Sequence, residues 1–285
     1  MATQQVRTAR CGLALLLLLV SGCALAQSSN LKAEIQHRWK GKTFFIKGWY
    51  DENNLIYDAS GSVLGNPKPG PWTAGGVQIH SVKVQKDKIV LKGPRAGFVY
   101  DDKKHIFFPM LPKDFDVTIT INADPSTLTP ANLDLLQNRI FASQAPTADE
   151  VPDYWREVIL HGPQDPAKKP RYPKQTEIVE GMRSGTEPVF RIGPAHRVSP
   201  PRIVTQLEPQ YTELARKARY QGTSILRAVI DSRGETTQVQ ILRPLGMGLD
   251  DQAVNVVRQW RFEPAKRDGK PVAVTVDIEV NFRLY

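Results

Sequence analysis

The stretch Gly269-Lys270-Pro271-Val272-Ala273-Val274-Thr275-Val276-Asp277-Ile278-Glu279-Val280-Asn281-Phe282-Arg283-Leu284 decides the architecture of the C-terminal part of the chain. Val272, Val274, Val276, Ile278, Val280, Phe282 and Leu284 alternate with Ala273, Thr275, Asp277, Glu279, Asn281 and Arg283. Successive side chains of a strand point to opposite faces, so this alternation predicts one long strand, buried on one face and wet on the other. A half-buried strand of this kind belongs to an antiparallel sheet.

Working back from that strand, Ser224 to Ile230 sets Leu226, Ala228 and Ile230 on one side, and Thr236 to Arg243 returns with Val239 and Ile241 together. Asp231-Ser232-Arg233-Gly234 between them is a hairpin turn. Leu249, Ala253, Val256, Val257 and Trp260 fall on one helical stripe, with Asp250 placed to cap the helix and Asp251 to complement its dipole. Tyr211 to Tyr220 is helix-compatible, with Gly222 as its stop signal. Helix, strand, strand, helix, strand makes a small α+β unit with an antiparallel sheet.

In that unit Glu208-Pro209-Gln210-Tyr211, Gln221-Gly222, Ile230-Asp231-x-x-Gly234, Leu249-Asp250, Trp260-Arg261-Phe262-Glu263-Pro264-Ala265, Gly269-Lys270-Pro271-Val272 and the closing Phe282 resemble the TonB C-terminal domain family. The resemblance spans about residues 200–285. It implies a periplasmic, non-catalytic module that binds an N-terminal peptide of outer-membrane transporters and delivers energy from an inner-membrane, proton-driven motor complex. By the same resemblance Pro209, Gln210 and Tyr211 fit a loop beside the incoming peptide. Val272, Val274, Thr275, Val276, Asp277, Ile278, Glu279 and Val280 fit the strand it adds to. An exposed sheet edge accepts an extended peptide through main-chain hydrogen bonds. Two departures from the family pattern bear on that loop. Glu208 replaces an amide by an anion, and Thr212 replaces a proline, which predicts a looser loop.

Ahead of this unit, residues 27–160 read as a mainly β domain with a helical cap, of no family we can name. Thr43 to Tyr50, Leu55 to Tyr57, Val77 to Val84, Lys88 to Leu91 and Val117 to Ile121 are rich in β-branched and aromatic residues and separated by turn chemistry, predicting a small sandwich or open barrel. Helices are expected over Asn132 to Phe141, after Thr129-Pro130, and from Asp149 to about Leu160. Residues 161–200 carry Pro163, Pro166, Pro170, Pro173, Pro188, Pro194 and Pro200 and read as a semi-rigid linker.

At the start, Arg7 and Arg10 precede the apolar run Leu13 to Val20, which is too short to serve as an ordinary membrane span. This predicts an export signal over residues 1–26. Val20-Ser21-Gly22-Cys23 resembles a lipoprotein box, which would make Cys23 a lipidated first residue and a membrane anchor. Ala24-Leu25-Ala26 before Gln27 is equally a site for ordinary signal peptidase. The run lacks the histidine with which TonB proteins engage the motor, a third departure from the family pattern. Export reinterprets the formal charge of +9: the basic surface is expected to be simply solvated, and any partner it has would be lipid headgroups, wall polymers or acidic proteins and not nucleic acid.

Both cysteines, Cys11 and Cys23, lie in the signal, so the body uses neither disulfides nor thiol catalysis. His37, His80, His105, His161 and His196 are dispersed, without metal-ligand spacing. The expectation is an adaptor without metal or cofactor. The alternative is a periplasmic scaffold or sensor that holds a peptide or a cell-wall ligand without energy input.

Overall fold

The computed structural model describes residues 31–104, 106–142, 144–161 and 183–284. The predicted export signal, Cys23 and the linker residues 162–182 lie outside them.

The first described element is a helix, α1, over residues 31–39, inside the segment that the sequence reads as mainly β. Leu31, Ile35 and Trp39 recur every four residues, and Ile35 and Trp39 are fully buried. Nine strands come after it: β1 (Thr43–Ile46), β2 (Asn54–Tyr57), β3 (Val63–Leu64), β4 (Gly76–Gln78), β5 (Ser81–Val84), β6 (Ile89–Asp101), β7 (Ile106–Met110), β8 (Asp116–Ile121) and β9 (Phe141–Ala142). They form one sheet in the order β3-β2-β8-β6-β4-β1-β9, with β5 and β7 also on β6, so of the expected sandwich or open barrel the two-sheet sandwich gives way to one sheet. The length of β6 explains this: it pairs with β5 and β8 in its first half and with β4 and β7 in its second. Helix α2 (Pro130–Ile140) starts at Thr129, whose hydroxyl accepts from the Asn132 amide while Asn132 Oδ1 accepts from the Thr129 amide. Its Leu133, Leu136 and Ile140 join Ile35, Trp39, Ile46, Leu91 and Ile119 in one core.

The C-terminal unit contains β10 (Arg183–Ser184), β11 (Glu187–Phe190), β12 (Arg202–Thr205), β13 (Gly222–Ile230), β14 (Thr236–Arg243), β15 (Arg261–Glu263), β16 (Ala265–Arg267) and β17 (Lys270–Phe282). Its sheet order is β10-β11-β17-β13-β14, with β16 also on β17, and β12 and β15 form a separate ribbon. Part of the expected linker is therefore strand: β11 lies parallel to β17. With α3 (Asp153–His161) preceding them, two more helices belong here, α4 (Glu213–Ala218) and α5 (Leu249–Val257). Helix α4 ends at Arg219, which takes the left-handed conformation at φ 50°; Gly222 opens β13 instead of stopping the helix. The Leu249, Ala253, Val256 and Val257 stripe of α5 packs with Leu226, Ala228, Ile230, Val239, Ile241 and Ile278, as its spacing predicted.

Helix α3 does not cap the β-rich sheet. It lies against β14, and Trp155 and Val158 belong to a core that runs from Phe45, Trp72 and Phe98 into Met247, Leu249 and Val254. Backbone bonds cross the same boundary: the Met247 amide donates to Phe98 O at 2.9 Å and the Tyr100 amide to Leu245 O at 3.1 Å. The Gly248 amide donates to Thr73 Oγ1 at 2.8 Å. The two units are thus welded through hydrophobic burial and satisfied polar groups together.

Candidate functional site

Strand β17 is the organising element of the C-terminal unit. On one side it pairs with β13 in nine successive antiparallel positions, from Gly222↔Phe282 to Ile230↔Val274. Its other side is used unevenly. Ala273 and Val274 face β11 there, and Lys270, Pro271 and Val272, beyond the end of the β13 ladder, pair with β16. From Val276 to Phe282 that side carries no strand among the described residues. The expected docking strand is thereby shortened: Val272 and Val274 sit where the chain's own strands already pair, and the open edge begins beyond them.

The chain turns away from β17 for a local reason. After Phe190 and two further residues it reaches Gly193, at φ 142°, and Pro194, which opens a short 3-10 turn. Proline has no N–H to continue a ladder, and the turn closes with the Gly193 amide donating to Val198 O. Beyond this point the edge is left to β17 alone.

Along the open segment the faces differ. Ile278, Val280 and Phe282 are buried, whereas Asp277, Glu279 and Asn281 are exposed. Thr275 is fully buried opposite Val229. Asp277 is not a free surface group: its carboxylate takes two bonds from Arg227, Nε at 2.8 Å and Nη2 at 3.1 Å. Arg227 is only 6% exposed and sits opposite Asp277 in the strand register. Asn281 Oδ1 accepts from Thr223 Oγ1 at 2.6 Å.

Beside the far end of this edge lies a groove of about 360 Å³, lined by Leu207, Glu208, Pro209 and Tyr211 on one side and by Glu279 to Arg283 on the other. The structure thus brings Pro209 and Tyr211 to Glu279 and Val280. Gln210 parts from them and faces a separate depression bounded by Gln252, Asn255 and Gln259. The Tyr211 ring stands edge-on to Phe282 at 5.6 Å, and burial raises its hydroxyl above the ordinary value. Trp260 Nε1 donates to Leu207 O at 3.0 Å, which fixes the loop against the body of the unit. Thr212 does not loosen it. Its hydroxyl accepts from the Ala215 amide as the N-cap of α4 and donates to Met247 O at 2.8 Å.

Residues 207–284 match the family of the Gram-negative bacterial TonB protein C-terminal. This bears out the resemblance carried by the sequence motifs. Curated relatives include Protein TonB of Vibrio cholerae, 34% identical over 86 residues, which covers 30% of this chain and 35% of that protein. Protein tonB2 of Pseudomonas aeruginosa is 34% identical over 77 residues, 27% of this chain and 28% of that protein. The chain thus spans about a third of the length of the curated relatives it matches. Among solved structures, the solution structure of the Pseudomonas aeruginosa TonB C-terminal domain matches at 23% identity and a TM-score of 0.25, covering 34% of this chain and 96% of that one.

Outside the TonB-like match, and missed from sequence, are β11 and the α3 contacts. Strand β11 is anchored by Val189 buried with Val229 and Ala273, and by Ser232 Oγ donating to Glu187 at 2.6 Å. Alternation within β17 reveals its two faces but not which edge is already taken. The Arg227–Asp277 pair had a signal, an arginine on the same strand face as Val229, but its partner emerges only from the register.

Proposed function

We propose that this chain is an adaptor of the bacterial cell envelope of the TonB type, not an enzyme. In this reading the C-terminal unit takes an extended peptide of an outer-membrane transporter as an added strand along Val276–Phe282, and passes on energy that drives transport. The observation that carries it is the open Val276–Phe282 edge next to the groove that holds Pro209 and Tyr211. A strand laid there satisfies main-chain donors and acceptors that otherwise face water, and side-chain pockets refine the choice. The reading includes export to the periplasm, an anchor through lipidated Cys23, and a proton-driven inner-membrane complex as the energy source.

A second reading, an envelope scaffold or sensor without energy input, draws support from the β-rich unit. That unit is docked on the TonB-like unit through a shared core rather than serving as an extended spacer. Whether deletion of the motor complex abolishes transporter activity that depends on this chain separates the two.

The direct test is titration of the ¹⁵N-labelled chain with a synthetic peptide bearing the N-terminal segment of an outer-membrane transporter. Amide shifts should concentrate in Val276–Phe282, and of folded Glu279→Pro and Val280→Pro variants the one whose N–H points to the open edge should bind at least about tenfold more weakly, given the lost donor and fixed φ. Asp277→Pro is unsuited, because it also removes the carboxylate that holds Arg227. Shifts confined elsewhere, with unchanged affinity of both proline variants, would refute strand addition here. Mass spectrometry of the mature N-terminus decides the anchor: a lipidated Cys23 supports it, and a start at Gln27 removes it.

A further inference from the structure

The local charge at the docking edge is opposite in sign to the net charge of the chain. The chain as a whole is basic, with a formal charge of +9. The groove at the end of the open edge is instead lined by two carboxylates, Glu208 from the loop before α4 and Glu279 from β17. Both are exposed, and neither has an ion-pair or hydrogen-bond partner among the described residues. The other acid of this strand segment, Asp277, is neutralised by Arg227. Glu208 and Glu279 therefore stand as the uncompensated charges of the groove.

One cation shares the lining, Arg283. It lies four residues beyond Glu279, roughly 13 Å along an extended strand. That exceeds the screening length of about 8 Å at physiological salt, so Arg283 does not cancel Glu279 locally. The remaining walls mix polar Gln206 and Asn281 with Leu207, Tyr211, Trp260 and Phe282, which offer aromatic and apolar contact.

The chain itself shows that this side of β17 takes strands. Strand β11 already pairs there in parallel, up to Phe190↔Val274, before Gly193 and Pro194 divert it. Past that diversion β17 offers a short edge, Val276–Phe282, with an acidic groove at its far end. We infer that its occupant is a short extended peptide with a lysine or arginine beside Glu279 and Glu208, its other face presenting apolar side chains toward Tyr211 and Trp260. This rests on the strand-docking reading above and adds to it a charge rule for the partner. Selectivity arises because the basic side chain relieves two unpaired acids, whereas an acidic side chain at the same place adds a third.

The test uses the full chain and two synthetic peptides of the length of the open edge, identical and β-prone, with lysine or glutamate at the central position. At about 0.15 M salt, where Arg283 is screened from Glu279, the lysine peptide should bind at least about threefold more tightly than the glutamate peptide. Glu208→Gln and Glu279→Gln should each reduce this preference, and the double variant should abolish it. Both changes are isosteric at exposed positions, and an unchanged melting temperature verifies the fold. Raising the salt to about 0.5 M should collapse the preference in the wild type as well. Equal binding of both peptides, with amide shifts along Val276–Phe282, overturns the charge rule while strand docking stands. A lysine preference that survives in the double variant also overturns it. Absence of shifts along the edge with either peptide overturns the docking reading and the charge rule together.

Discussion

Tyr154 Oη donates to Asp251 Oδ1 at 2.8 Å, joining α3 to the first turn of α5. Trp155 Nε1 reaches the same oxygen at 3.4 Å, and the Arg258 guanidinium lies 5.4 Å from the centre of the Tyr154 ring. Trp155 is fully buried and stacks edge-on with Trp72 at 5.2 Å. Trp155→Ala should therefore cost about 3–5 kcal/mol, and Tyr154→Phe about 1 kcal/mol, in equilibrium denaturation. Both units should melt in one transition, because a shared core makes neither complete alone. A wild-type chain that unfolds in two separated steps would show the joint to be weak.

Stability should fall as pH rises from about 4 to 7. Burial pushes Asp250 up to about 7 and Asp251 up to about 6, against an ordinary value of 3.8, although both accept hydrogen bonds that favour the ionised form. Asp250 accepts from the Leu245 and Gly246 amides and from Ser224 Oγ, turned back from the helix start that Gly248 caps. Because the folded values lie above the unfolded ones, the folded chain holds more protons in this window. The stabilising contribution is present below about pH 4 and is lost as pH rises through the folded values. Asp251→Asn keeps an acceptor for Tyr154 and Trp155 and should flatten part of this slope in urea midpoints measured from pH 4 to 8.

The Arg227–Asp277 pair should matter for folding more than for docking. Asp277→Ala leaves a buried guanidinium without that carboxylate and should cost about 1–3 kcal/mol, the lower end reflecting the partial exposure of Asp277. Asn281→Ala, which removes an exposed bond to Thr223, should stay within about 0.5 kcal/mol. Urea denaturation of the two variants compares them directly.

Gly234 closes the β13–β14 turn at φ 80°, with its carbonyl accepting from the Phe262 amide at 2.9 Å. A Cβ there would stand 1.8 Å from Phe262 O, so backbone and not a movable side chain blocks it. Gly234→Ala should destabilise by about 2–4 kcal/mol in thermal or urea melts.

Local chemistry was legible from sequence where each element carries its own signal. The alternation from Val272 to Leu284, the turn Asp231 to Gly234 and the Thr129-Pro130 helix start all stand in the structure because neighbours in sequence impose them. Helix α1 had a readable Leu31, Ile35, Trp39 spacing that the adjacent β-rich segments obscured. The long-range choices were not legible. Glu187-Pro188-Val189-Phe190 is too short and too proline-marked to announce a strand; pairing with Ala273 and Val274 stabilises it. Asp250 and Asp251 read locally as an ordinary helix start, and only the fold reveals that α3 and the Leu245–Gly248 loop bury them. In the candidate site, motif residues Pro209 and Tyr211 line one groove with the end of β17, whereas the occupied half of the strand depends on β11 and β16.

The nine-position pairing of β17 with β13 has a mechanical side. A strand laid on Val276–Phe282 and pulled along its length hands the load to β17 parallel to the axis. The β13–β17 ladder from Gly222↔Phe282 to Ile230↔Val274 then resists in shear, with its rungs strained together. A pull across the sheet would instead peel the same rungs one after another. The direction of traction, more than the number of bonds, sets how much tension this small unit withstands before it unravels.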